Sequence, residues 1–434
     1  MILLFLAGFA IVFVGLLVSI ALHEIGHLVP AKLFKVRVTQ YMVGFGPTMW
    51  SRRRGETEYG IKWVPLGGYI RMIGMLPPRP SDDPTKLRSV STGPWQGLIE
   101  NARAVALEEV RPGDEDRVFY RKPWWQKVII MTGGPAMNFV LAFVLFAVVM
   151  MGFGVAMQKP VVSTVSKCVM PISEADNRQC GPSDPPTPAS LAGLRPGDRL
   201  TSVDGTRVTS WDQASRLIRT HKAGAAALGI ERAGKPMTVN VTLVAHDMPS
   251  LDDPSKIDKG VGFLGVTPVT VTERVGPGYV AGQMWGFVEK TAAAMVNIPG
   301  KMVGVWHAAF SDGKRDPNGP IGVVGVGRIG GEIATSDLSA ENKIVFYIQL
   351  LASLNLAVGM FNLIPLLPLD GGHILGGLWE GLKRFLARVR RRPSPGYVDV
   401  AKALPLTYVM AALLLVMGGL LIYADLVNPV RISG

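Results

Sequence analysis

Residues Ile2 to Leu22 form a run of 21 uncharged, mostly apolar residues that leads without a break into His23-Glu24-Ile25-Gly26-His27. At a helical rise of ~1.5 Å per residue such a run covers roughly 30 Å, the thickness of a bilayer's hydrocarbon core. The H-E-x-x-H spacing sets two imidazoles at i and i+4 on one helix face, where a tetrahedral zinc ion can bridge them. Glu24 then stands beside the metal without ligating it, positioned to take a proton from the zinc-bound water. The bland alternative is a pair of solvated histidines on a helix surface. Its position at the end of an apolar span argues against that, because unpaired ionisable groups there cost several kcal/mol.

Composition agrees with a membrane protein. The chain has 434 residues, 48% of them hydrophobic and only 18% charged, below the ~25% usual in globular domains. Its formal net charge of +12 raises nucleic acid as a partner, but the basic residues are not gathered into a binding face. They flank apolar runs, as topology signals do. Four runs are long enough to span: Ile2–Leu22 continuing to about Ala31, Val128–Met157, Ile344–Leu369 and Ala403–Ala424. The loop between the last two carries Lys383, Arg384, Arg388, Arg390, Arg391, Arg392 and Lys402 against Glu380 and Asp399, so it is expected in the cytoplasm. The segment between the first two begins and ends in basic residues and is expected there too. Both termini and the long segment 158–343 then fall outside. With no Lys or Arg before the first run and no small-residue cleavage site after it, that helix is expected to stay as an anchor.

Between the spans the pattern changes. Residues 36–75 alternate β-formers with Gly-Phe-Gly-Pro, Arg-Gly-Glu and Pro-Leu-Gly-Gly breaks, which predicts a hairpin packed under the helices. A sharper reading makes it a membrane-face sheet whose edge pairs with an unwound substrate. Residues 77–118 are Pro-rich and charged and read as a linker. The stretch SLAGLRPGDRLTSVDGTRVTSWDQASRLI orders a short helix, a Gly-Asp turn, a strand, an Asp-Gly turn, a strand and an amphipathic helix, and so resembles a PDZ domain. Cys168 and Cys180, twelve residues apart and outside the membrane, are expected to close a disulfide loop. Residues 276–310, rich in Trp and Met, read as an amphipathic helix on the outer membrane surface or packed on the PDZ domain.

A catalytic zinc needs a third protein ligand and an open position for water. His221, His246 and His307 fall on the outside, the wrong side. The soluble pattern with a third His after a glycine fails at Pro30 and Leu33. Spans one and three both run inward, so their C-terminal ends are level, and Asp370 follows the last apolar residue of span three. Pro365 and Pro368 must break that helix, and Gly371-Gly372 permit a tight turn. Asp370 is therefore the candidate ligand, with His373 as a rival given a supporting role. Asn355 and Asn362 share one face of span three. They serve either helix–helix hydrogen bonds or the substrate backbone and oxyanion near zinc.

Taken together, the HEIGH span, Gly134-Pro135-Ala136-Met137-Asn138 at the opening of span two, the PDZ-like segment and the N-x-x-P-x-x-P-L-D-G stretch resemble the site-2 protease family of intramembrane metalloproteases, most of all its bacterial regulator-of-sigma-E group. The resemblance implies His23, His27 and Asp370 as ligands of Zn2+, Glu24 as general base, and Asn355 and Asn362 near the bound substrate. It implies single-pass membrane protein substrates, anti-sigma factors already trimmed outside or remnant signal peptides, and a bacterial plasma membrane location. One departure is that members of that group often carry two PDZ domains, and here there is room for one. The expected fold is thus a polytopic α-helical membrane protein of about four transmembrane helices, with a membrane-associated β-hairpin region and an inserted extracytoplasmic PDZ (α+β) domain taking peptide C-termini. Its parts are helix 1 with HExxH (1–33), hairpin (34–76), linker (77–123), helix 2 (124–157), PDZ domain (158–250), a linker with the amphipathic helix (251–340), helix 3 with NxxPxxPLDG (341–375), a basic loop (376–402) and helix 4 (403–425). The rival readings are a non-proteolytic membrane adaptor with a structural zinc and a metal transporter; the latter lacks the repeated polar spans of a carrier.

Overall fold

The computed structural model describes residues 1–78, 94–171, 179–252, 256–311, 313, 315–317 and 319–430. The chain divides into two units, Met1–Gly152 with Gly276–Gly434, and Phe153–Val275.

Among the described residues, four helices are long and apolar enough to cross a membrane: Ile2–Leu33, Trp124–Phe153, Ala340–Asn362 and Val400–Val427. We label the helices of the first unit α1 (Ile2–Leu33), α2 (Pro94–Glu108) and α3 (Trp124–Ala147, continued by a π-helical turn to Phe153). Helix α1 is apolar all round, as a helix surrounded by lipid and other helices must be. It crosses α3 where Gly26 and Gly133 meet backbone to backbone. A Cβ on Gly133 would lie 2.0 Å from the Gly26 carbonyl oxygen, so only glycines allow this approach. Strands β1 (Val38–Arg54) and β2 (Thr57–Met72) pair antiparallel over their length, with several irregularities of register. Helix α2 occupies part of the expected linker 77–123; residues 79–93 of that linker lie outside the described residues. A helix forms there because Arg103 is buried and bonds Asp399 at 2.5 Å, a tertiary anchor that composition does not display.

The second unit is a seven-stranded sheet of order β8-β7-β6-β4-β3-β9, with β5 on β4. Its strands are β3 (Val155–Val165), β4 (Arg199–Val203), β5 (Thr206–Arg207), β6 (Gly224–Arg232), β7 (Lys235–Pro249), β8 (Ile257–Phe263) and β9 (Val266–Glu273). Helices α4 (Pro188–Leu191) and α5 (Trp211–His221) cover a core that includes Leu200, Leu228, Ile230 and Leu243. Buried Asp198 accepts from Arg232 and from the Arg195 amide, and the Arg232 guanidinium holds its carboxyl below the usual carboxylate range. A disulfide joins Cys168 and Cys180. The unit runs past the 158–250 expected for a PDZ domain at both ends. The added β9 pairs with β3 from Val155↔Glu273 to Val165↔Val266, and such a pairing of distant segments leaves no local signature.

Three further helices lie in the stretch expected as linker and single amphipathic helix. These are α6 (Pro277–Val296), α7 (Ile298–Phe310) and α8 (Val323–Thr335). The expected helix 276–310 is two, because Pro299 cannot continue α6 but suits the first turn of α7. Phe287 of α6 stacks on Phe146 of α3, while Gly8 of α1 meets Gly330 of α8. The third-span segment, 341–375, breaks where its prolines were expected to break it, into α9 (Ala340–Asn362) and the start of α10 (Asp370–Val389). Residues 363–369, with Pro365 and Pro368, are irregular, since proline removes the amide that would continue the ladder. Helix α10 therefore extends through much of the expected basic loop 376–402. Its small and charged side faces α3, through Gly377, Gly381 and a Lys127–Glu380 pair at 2.7 Å. Its exposed stripe holds Leu375, Trp379, Leu382, Phe385 and Val389, the reverse of a helix facing water. The last helix, α11 (Leu404–Val427), ends on buried Asp425, which accepts from Arg315 and from the Gly322 and Gly325 amides at the start of α8.

Candidate metal centre and active site

Helix α1 presents His23 and His27 on one face, and the first residue of α10 brings Asp370 to them. The Nε2 atoms of the two histidines lie 3.3 Å apart. Asp370 Oδ2 lies 3.3 Å from the first and 3.2 Å from the second. A tetrahedral zinc ion with bonds of about 2.0–2.1 Å holds its donors roughly 3.3–3.4 Å apart. The triangle therefore fits zinc, and three protein donors leave one tetrahedral position for water or substrate. Among the described residues this is the single cluster able to hold a metal in this way. His373 stays outside it.

The surroundings prepare these donors. His27 Nδ1 lies 2.8 Å from the Ile130 carbonyl oxygen. A carbonyl only accepts, so Nδ1 carries the hydrogen and Nε2 keeps its lone pair for the metal. Asp370 opens α10, where the positive end of the helix dipole favours a carboxylate. The two glycines after it are required by space. A Cβ on Gly371 would lie 2.2 Å from the Ile364 carbonyl oxygen, and one on Gly372 2.6 Å from the Leu367 nitrogen. Beside the donor nitrogens passes Gly134 of α3, where a Cβ would stand 2.2 Å from His27 Nε2 and 2.7 Å from His23 Nε2.

A cavity of about 570 Å³ opens beside the cluster. Glu24, buried next to both histidines, lines it together with Ser19, Asn138, Asn355, Asn362, Phe45, Gly67 and Gly68. The β1–β2 hairpin thus forms part of the wall, and Gly68 packs so closely that a Cβ would lie 2.9 Å from Glu24 Cγ. Asn355 is buried and donates from Nδ2 to Ser19 Oγ (2.9 Å) and to the Leu351 carbonyl oxygen (2.8 Å). Asn362, the last residue of α9, reaches the same cavity. His221 belongs to the other unit, 3.3 Å from Asp204. Sequence reasoning assigned no role to Ser19, Gly134 or Asn138. The last two bound the Gly134–Asn138 stretch that carries part of the family resemblance, and being four apart on α3 they share a face; these were the available signals.

The buried histidine pair, the adjacent glutamate and the third donor from a distant helix together make a hydrolytic zinc site in form. The profile of peptidase family M50 matches residues 11–404. Zinc metalloprotease Rip1 of Mycobacterium tuberculosis is 33% identical over 449 residues, 99% of each chain, and Rip1 of Mycolicibacterium smegmatis is 32% identical over 438 residues, 98% of each chain. Metalloprotease MmpA of Caulobacter vibrioides is 28% identical over 402 residues, 87% of this chain and 88% of that one. The chain belongs to peptidase family M50, the site-2 proteases, and is a zinc metalloprotease with four helices fit to cross a membrane.

Proposed function

We propose that this metalloprotease cuts the transmembrane segments of single-pass membrane proteins inside the bilayer, near the cytoplasmic end of the span. One observation carries the reading. His23, Glu24 and His27 end an apolar helix of membrane-crossing length, and the cavity beside them is walled by that helix, α3, α9 and the hairpin. Bound by His23, His27 and Asp370, zinc supplies Lewis acidity, polarising a carbonyl and acidifying water. Glu24 takes the proton of the attacking water and returns it to the leaving amine. Asn362 holds the substrate backbone or its carbonyl oxygen, and Asn355, whose Nδ2 is taken by Ser19 and Leu351, accepts from a backbone N–H. A helical substrate hides its carbonyls and must unwind first. The hairpin edge at Gly67-Gly68 is the proposed template for the extended segment.

The substrate class is anti-sigma factors already trimmed outside, or remnant signal peptides, in regulated intramembrane proteolysis. The basic residues within 34–123 and 376–402 support a cytoplasmic side for those segments in a bacterial plasma membrane, with both termini outside. The disulfide supports an extracytoplasmic position for residues 153–275, which we read as a PDZ domain taking peptide C-termini. The test is Glu24→Gln in proteoliposomes with a single-span substrate. Zinc content is expected to match wild type and cleavage to be lost; undiminished cleavage overturns the proposal.

A further inference from the structure

Asn138 is the most anomalous polar group in the membrane-spanning unit. Its residue is 1% exposed, and among the described residues neither Nδ2 nor Oδ1 has a hydrogen-bond partner. It lines the same cavity as Glu24 and Asp370. Its place there is dictated by α3: Gly134, one turn earlier on the same face, lies against the two imidazoles. Helix α9 closes in from the other side, with Gly359 close enough that a Cβ would sit 3.2 Å from Asn138 Cβ. The side chain is therefore held in the wall with little freedom. Asn355 stands differently. Its Nδ2 is committed to Ser19 and Leu351, and only its Oδ1 is without a partner.

Buried amides rarely go unpaired in folded proteins, and one that does at a functional cavity points to a partner that arrives there. A carboxamide offers donor and acceptor side by side, the same complement as one peptide unit. An extended chain crossing this cavity exposes both a backbone N–H and a C=O, which a helical one does not. From this we infer that Asn138 is a substrate-contacting residue. Its Oδ1 accepts from a backbone N–H of the unwound span and its Nδ2 donates to a backbone C=O, while Asn355 Oδ1 accepts from a second N–H. The chemistry selects for peptide backbone in extended form, not for a side chain, so this contact favours any sequence that unwinds readily. The inference rests on the proposed cleavage of membrane spans and extends it to the recognition step.

A group kept polar for a ligand has a signature that a structural amide lacks. Replacing it by an apolar side chain of similar shape leaves the empty protein as stable or more stable, because the unpaired amide disappears. The experiment uses the full chain in nanodiscs and a fluorescent single-span peptide. In the Glu24→Gln background, which binds without cutting, adding Asn138→Leu is expected to weaken peptide binding at least tenfold. Zinc content should not change and the thermal midpoint should not fall. Asn138→Ala, smaller than the native residue and free of any clash with Gly359, is expected to raise KM tenfold or more with active Glu24 present. Unchanged binding and KM in both variants, or a lowered thermal midpoint with Asn138→Leu, overturns the inference. Wild-type protein that binds the peptide without cleaving it overturns the reading on which the inference rests, while the binding comparison still decides the role of Asn138.

Discussion

A methyl group at position 134 would stand 2.2 Å from His27 Nε2, well inside contact distance, and the imidazole it would strike is pinned from behind by the Ile130 carbonyl. Neither the backbone of α3 nor the ring can yield without spoiling the donor triangle. Gly134→Ala is therefore expected to lower zinc affinity at least tenfold, measured by metal analysis after competition with a chelator, with helix content by circular dichroism unchanged. Full zinc retention would mean that α3 shifts away more easily than its packing against Gly26 suggests. The proposed metal centre would then depend on a residue with no side chain as much as on its donors. His23 and His27 could be read as a pair because i and i+4 share a helix face whatever the fold. Gly134 could not, since nothing in a glycine names the group that will approach it.

Among the elements, α10 decides the most. It begins at the third metal donor and is fastened to α3 through Lys127 and Glu380, both buried and 2.7 Å apart. Removing Lys127 leaves Glu380 with only Arg384, 2.7 Å away on its own helix, so the cost falls below the about 3–5 kcal/mol of a fully stranded buried charge, whereas replacing both by apolar residues comes near to neutral. Lys127→Met is expected to lower the thermal midpoint, and the double variant Lys127→Met with Glu380→Leu to recover most of the loss. A double variant no better than the single one would assign the effect to packing. Helix α10 is what the reading of the third span left out: the break at Pro365 and Pro368 was expected, but not a long helix starting at Asp370. Apolar content persisted through Leu363–Leu369, but Pro365 and Pro368 ended the helix, and the amphipathic period resumed only at Asp370. The charges of residues 380–392 weighted the reading toward a loop, although Glu380 pairs with Lys127 inside the molecule.

For the whole molecule, all the residues assigned to the metal centre and its cavity lie in the unit Met1–Gly152 with Gly276–Gly434. The disulfide lies in the other. Closing a loop of this length constrains the unfolded chain by about 3 kcal/mol, so replacing both Cys168 and Cys180 by Ser is expected to speed hydrogen exchange in residues 153–275. Zinc content and kcat/KM on a short single-span peptide should remain those of wild type. A large loss of either would tie the chemistry to the second unit. What the sequence determined alone was whatever local periodicity carries: spans long enough for a bilayer, two imidazoles and a carboxylate on one helix end, a proline break before Asp370, and a hairpin after α1. Hydrocarbon thickness and the helical repeat act on neighbouring residues, so these features needed no partner. Tertiary structure decided the rest. It brought Asp370, 343 residues away, to within 3.2 Å of His27 and left His373 outside. It also set Gly134 against the donor nitrogens, placed an unpaired Asn138 in the cavity wall, and carried the second unit out to Val275 through the β3–β9 pairing. Each of these is a distance between elements far apart in the chain, and only packing sets such distances.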